Sequence, residues 1–148
     1  MRTPSRVLQA PLRQAVVLIV DVTGLRVLVA DDEDDIRALV ALAVGKAGCT
    51  VVSSVADGSA ALDLARAELP DLAVLDVSMP GATGLEVCAA LRADPATTGI
   101  RILLLSAGAS LDDVAAGLAA GADAYLAKPF SISGLVHQVH ALTARQPA

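Results

Sequence analysis

Four short apolar runs in this chain each end on a polar group with chemical potential, and stretches of helical periodicity separate them. Leu25-Arg-Val-Leu-Val-Ala30 ends on Asp31 and Asp32, Leu72-Ala-Val-Leu75 on Asp76, Ile102-Leu-Leu-Leu105 on Ser106, and Ala124-Tyr-Leu-Ala127 on Lys128 and Pro129. A fifth run, Thr50 to Ser54, lies between the first two. Apolar runs that alternate with amphipathic segments are the pattern of βαβ units and a parallel sheet. Three of the runs are almost unbroken Val, Leu and Ile, as strands buried on both faces should be. The sequence therefore predicts strands at Leu25–Ala30, Thr50–Ser54, Leu72–Leu75, Arg101–Leu105 and Ala124–Ala127.

The intervening segments read as helices. Asp34 to Ala47 places Ile36, Leu39, Val40, Ala43 and Val44 on one face, with Gly48 as a stop. Ala56-Asp57-Gly58 turns into a second helix through Leu62, Leu64 and Ala65, closed by Pro70. A third spans Gly84 to Arg92. A fourth, Leu111 to Ala120, is alanine-rich with few large side chains to hold it, so it is expected to be the most mobile. Ser131 can cap a fifth that runs through Leu135, Val136, Val139 and Leu142. The expected architecture is α/β, five βα units with right-handed crossovers, and the open-sheet rule places a ligand at the carboxyl ends of the strands. All the polar groups named above lie there.

Composition narrows the partners. In 148 residues the only aromatic side chains are Tyr125 and Phe130, so the core of this single domain is built from Ala, Val, Leu and Ile. Acidic residues exceed basic ones, 16 to 11, which argues against direct nucleic-acid binding. The apolar run from Ala15 to Val20 is followed by Asp21 and is too short for a membrane span or a signal core, so no membrane insertion is expected. Cys49 and Cys88 have no metal-ligand spacing and form no disulfide framework, which suits a reducing, cytoplasmic location.

Three carboxylates, Asp31, Asp32 and Asp76, are expected to converge at the strand ends. Like charges about 5 Å apart repel by roughly 3 kcal/mol at an effective dielectric near 20, so a cation must offset them. An all-oxygen site without His or Cys suits a hard ion such as Mg²⁺, and Lys128 supplies a second, fixed cation. Flanked in this way, Asp76 could attack a phosphorus centre and become an aspartyl phosphate. Ser106 could then donate its hydroxyl to the new phosphoryl oxygens and bias a conformational equilibrium.

The segments Val-Leu-Val-Ala-Asp31-Asp32-Glu33, Leu-Asp76-Val-Ser-Met-Pro-Gly, Leu-Leu-Ser106-Ala and Tyr125-Leu-Ala-Lys128-Pro129-Phe130, in that order and at those intervals, resemble the receiver domain of two-component response regulators. The resemblance covers residues 25–143, preceded by an extension at 1–24 and followed by a short tail at 144–148. It implies a flavodoxin-like three-layer fold with strand order 2-1-3-4-5 and phosphorylation of Asp76 by a histidine kinase or phosphotransfer protein. It also implies Mg²⁺ held by Asp31, Asp32, Asp76 and the backbone carbonyl of Ser78. Lys128 would bind the phosphoryl group, Ser106 and Tyr125 would be paired switch residues, and the Lys128–Pro129 bond would be cis. The catalysis implied is confined to the protein's own phosphorylation and dephosphorylation, with an unidentified downstream protein as output and room for a homodimer.

Blander assignments compete at several positions. Asp before Gly and Pro is ordinary turn chemistry, and Glu33, Asp34 and Asp35 suit the N-terminal dipole of the first helix, so they are left out of the site. His137 and His140 lack a third ligand, and Cys49 and Cys88 suit the core. Tyr125 could simply fill space. A receiver-like interaction module that is not phosphorylated is the main alternative function. A weaker one is an aspartate-nucleophile phosphatase, since Val-Leu-Ile-Val-Asp21-Val-Thr-Gly24 faintly resembles the haloacid-dehalogenase nucleophile motif. That motif needs a second Asp where this chain has Thr23.

Overall fold

The computed structural model describes residues 24–108 and 110–143. The expectations placed on the N-terminal extension, including the Val16–Val20 run and Asp21, and on the tail at 144–148 lie outside the described residues. Five strands, β1 (Arg26–Ala30), β2 (Thr50–Val55), β3 (Leu72–Asp76), β4 (Arg101–Ser106) and β5 (Ala124–Ala127), form one parallel sheet in the order β2-β1-β3-β4-β5. Five helices connect and follow them: α1 (Asp34–Lys46), α2 (Gly58–Glu68), α3 (Gly84–Ala93), α4 (Leu111–Ala119) and α5 (Ile132–Thr143). The expected α/β fold and strand order are those observed, but β3 and β4 run one residue further than the apolar runs do. Asp76 and Ser106 are therefore the last residues of strands rather than the first of loops.

The sheet is buried on both faces because each central strand is apolar at successive positions. Val27, Val29, Leu72, Val74, Leu103 and Leu105 pack against Val40, Ala43 and Val44 of α1 and Leu135, Val139 and Leu142 of α5. Leu28, Ala30, Ala73, Leu75, Ile102 and Leu104 pack on the other side against Ala61 and Ala65 of α2 and Val87, Cys88 and Leu91 of α3. This two-residue alternation yields three layers. Cys49 and Cys88 are free thiols in the core, and burial raises the pKa of both. Among the described residues no helix is long and apolar enough to cross a membrane.

Local chemistry sets the helix starts. Asp57 accepts from the Ala60 N–H at 2.7 Å, and Ser131 Oγ accepts from the Gly134 N–H at 2.9 Å. Thr83 and Glu86 form a reciprocal capping box at α3. Helix α4 is the exception in packing: its only buried residue is Gly117, while Leu111 and Leu118 are 88% and 49% exposed. A Cβ at position 117 would stand 2.9 Å from the Tyr125 ring and 3.1 Å from Leu104, so the absence of a side chain lets α4 approach the sheet.

Candidate functional site

The site is assembled by register. Ala30 of β1 sits opposite Leu75 of β3, which places Asp31 beside Asp76 at the next step along the two strands. Ser106 of β4 pairs with Ala127 of β5, and the Lys128 N–H donates to the Ser106 carbonyl at 2.8 Å, which brings Lys128 to the same edge. The loop after β3 is held in turn: the Gly84 N–H donates to the Val77 carbonyl at 2.9 Å, and a Cβ at Gly84 would collide with the Asp76 carbonyl. The glycine-rich stretch after Asp76 is thus required by close backbone approach.

Carboxylate oxygens of Asp31, Asp32 and Asp76 all lie within 4.8 Å of one another. Asp31 is fully buried and Asp76 nearly so, whereas Asp32 is exposed. The Lys128 ammonium stands 2.9 Å from Asp31 Oδ2 and 3.3 Å from Asp76 Oδ1. With Glu33, Ser78, Met79, Pro80 and Ala107, three of these residues (Asp32, Asp76 and Lys128) line an open cleft of about 570 Å³. Burial, then the Asp31 charge, pushes the Asp76 carboxyl up to about 6, against the opposing pull of Lys128 and the Ser78 N–H. The Lys128 ammonium is held above its ordinary range even though burial alone would lower it, because the hydrogen bond to Glu33 and the close negative charges of Asp31 and Asp76 outweigh that effect.

These residues suit a hard divalent cation. Asp31 Oδ2 is buried and, despite the nearby ammonium, receives no hydrogen bond of good geometry, so it retains lone pairs for a further partner. The donors are all oxygens, and one or two carboxylates completed by water and phosphate oxygens are what Mg²⁺ accepts.

Ser106 and Tyr125 converge on the β4–α4 loop. Ser106 Oγ accepts from the Gly108 N–H at 3.0 Å, and the Tyr125 hydroxyl donates to the Gly108 carbonyl at 2.6 Å. The two side chains therefore meet at one residue of the β4–α4 loop, whose Ala107 lines the same cleft as Asp76. The Lys128–Pro129 peptide bond is cis. His137 and His140 are exposed on α5, where His140 Nε2 lies 3.1 Å from the Ala47 carbonyl. Asp34 and Asp35 occupy the first turn of α1 as expected, and Glu33 stands at its N-cap, but the Glu33 side chain makes no capping hydrogen bond and accepts from Lys128 Nζ at 2.9 Å instead. Residue-type reasoning assigned Glu33 to the dipole because nothing in a local window signals a partner 95 residues away.

Residues 27–140 match the response regulator receiver domain model. This chain belongs to that family. It is 44% identical over 125 residues to the transcriptional regulatory protein PrrA of Mycobacterium tuberculosis, covering 84% of this chain and 52% of that one. The chain thus spans about half the length of the curated relatives it matches. Among solved structures, it resembles the signal receiver domain of NarL from M. tuberculosis (TM-score 0.76, 35% identity, covering 84% of this chain and 99% of that one). It also resembles the chemotaxis response regulator CheY4 of Vibrio cholerae (TM-score 0.75, 33% identity, 81% and 99% covered). The phosphatase alternative finds no place in this family, and its nucleophile, Asp21, lies outside the described residues.

Proposed function

We propose that this receiver domain accepts a phosphoryl group on Asp76 from a histidine kinase or phosphotransfer protein and passes the signal to a partner protein through a change in its α4–β5–α5 face. The observation that carries the reading is the placement of Asp76: a nearly buried carboxylate at a strand end, 3.3 Å from Lys128 Nζ and within 4.8 Å of two further carboxylates. A receiver-like module that only binds would have no physical reason to keep such repulsion at one edge.

Asp31, Asp32, Asp76 and the Ser78 carbonyl would hold Mg²⁺. Bound there, it would supply positive charge opposite the oxygens of the phosphoryl group in flight. Asp76 Oδ attacks phosphorus, the bond from phosphorus to the donor imidazole breaks, and its electron pair stays on that nitrogen. Lys128 stabilises the charge that develops on the transferred group. Ser106 gives up the Gly108 N–H and donates to the phosphoryl group. Tyr125, bonded to the same Gly108, responds because its acceptor moves, and α4 follows because only Gly117 is buried beneath it.

Incubation with acetyl phosphate and Mg²⁺ should add one phosphoryl group to the intact mass of the wild type and none to Asp76→Asn. An equal gain in the variant would sink the assignment. In the phosphorylated sample, hydrogen exchange should change across residues 107–127; changes confined to 57–68 would show that the switch lies elsewhere.

A further inference from the structure

We infer that Glu33 is a latch on Lys128, holding the ammonium on the Asp31 side of the cleft until a phosphoryl group on Asp76 takes it over. This rests on Asp76 being the phosphoacceptor. Glu33 stands at the N-cap position of α1, yet its side chain makes no capping hydrogen bond. Its carboxylate reaches across to Lys128 at 2.9 Å, while its backbone N–H donates to Asp31 Oδ1 at 2.9 Å. The residue therefore ties together the acidic loop and the ammonium that the site depends on.

The Lys128 ammonium makes a well-formed hydrogen bond to Glu33 at 2.9 Å, and it faces Asp31 at 2.9 Å and Asp76 at 3.3 Å as charge contacts. A phosphoryl oxygen arriving at Asp76 therefore competes with Glu33 for the direction in which the ammonium points. The side chains of Asp31 and Asp76 are 0% and 5% exposed, so releasing Asp31 at any stage, or Asp76 before transfer, leaves a desolvated charge. The Glu33 side chain is 61% exposed, and water replaces its partner at little cost. Glu33 is thus the partner that leaves. Until it does, it competes with the incoming group for Lys128 and adds a negative charge to the mouth through which an anionic donor must pass.

Two substitutions separate contact from charge. Glu33→Gln removes the charge, whereas Glu33→Asp keeps it but withdraws it by one methylene from Lys128. In the transfer from acetyl phosphate, Asp76 Oδ bonds to phosphorus as the phosphorus–oxygen bond to acetate breaks, the electron pair leaving on acetate. Both variants should be phosphorylated about fivefold faster than wild type, the scale of one exposed charge pair. A Glu33→Asp variant that matches wild type would overturn the latch and leave only a field effect. A second readout is independent of rate. On phosphorylation of the wild type, the Glu33 side-chain ¹³C carboxylate resonance should move to the position of a solvated glutamate, while the Lys128 ammonium resonance shifts and that of Lys46, the other lysine, does not. An unmoved Glu33 signal would likewise overturn the latch. If the wild type takes up no phosphoryl group, the phosphoacceptor reading itself falls, and the latch falls with it.

Discussion

Both edges of the sheet carry strand-end carboxylates, and they treat them in opposite ways. At the amino edge, Asp71 accepts the Arg26 N–H at 2.8 Å, and Asp123 accepts the Ile102 N–H at 2.8 Å and Arg92 Nη2 at 2.9 Å. Each carboxylate there closes the start of a neighbouring strand by accepting its backbone N–H, and Asp123 is also paired with the Arg92 guanidinium. At the carboxyl edge, Asp31, Glu33 and Asp76 surround the ammonium of Lys128, and Asp32 adds a further carboxylate within 4.8 Å of Asp31 and Asp76. A cavity of about 430 Å³ also opens at the amino edge, but it is lined mainly by Leu25, Leu69, Pro70, Ile100 and Leu142 and contains no comparable cluster. Even there Arg101 Nε has no acceptor among the described residues, so satisfaction is not complete. The difference is between carboxylates that staple strands and carboxylates whose mutual repulsion is retained for a ligand.

The largest expected effect is that of Lys128→Ala in metal-free buffer at neutral pH. Removing the ammonium that faces the buried Asp31 carboxylate should cost about 3–5 kcal/mol in urea unfolding, and Mg²⁺ should restore much of it. A loss no greater than that of Asp123→Ala, or one that Mg²⁺ leaves unchanged, would break the comparison.

Next comes the pH dependence. The Asp76 carboxyl loses its proton near 3.8 when unfolded and near about 6 when folded. In that window the folded state holds the extra proton, so metal-free stability should fall as pH rises from about 4 to beyond about 6, by at most about 3 kcal/mol, and then level off. Asp76→Asn should remove this decline and be the more stable protein at neutral pH. Parallel pH profiles for the two proteins would place the unsatisfied charge elsewhere.

The smallest effect belongs to the amino edge. Asp123→Ala leaves the Ile102 N–H and the Arg92 guanidinium short of an acceptor and should cost about 1–3 kcal/mol, with no response to Mg²⁺. A Mg²⁺-dependent cost would sharpen the comparison by showing that the two edges communicate through β4.

The sequence alone determined the five strands, the helices between them and the polar groups at the carboxyl edge. Those features are local: an unbroken run such as Ile102–Leu105 must be buried on both faces, and a capping residue such as Asp57 acts within one turn. Strand ends were less exact, because Asp76 and Ser106 still pair in the ladder although they are polar. Only the tertiary structure decided how the site divides. Asp76 continues the row of Leu72 and Val74 toward α1 and α5, while Ser106 and Tyr125 continue the row of Ile102 and Leu104 toward the other face and meet at Gly108. Position along a strand is written in the order of residues, but which charges come within 3 Å of Lys128 depends on register between strands and on loops from distant parts of the chain. Glu33 could be recognised as its partner only once those elements had packed.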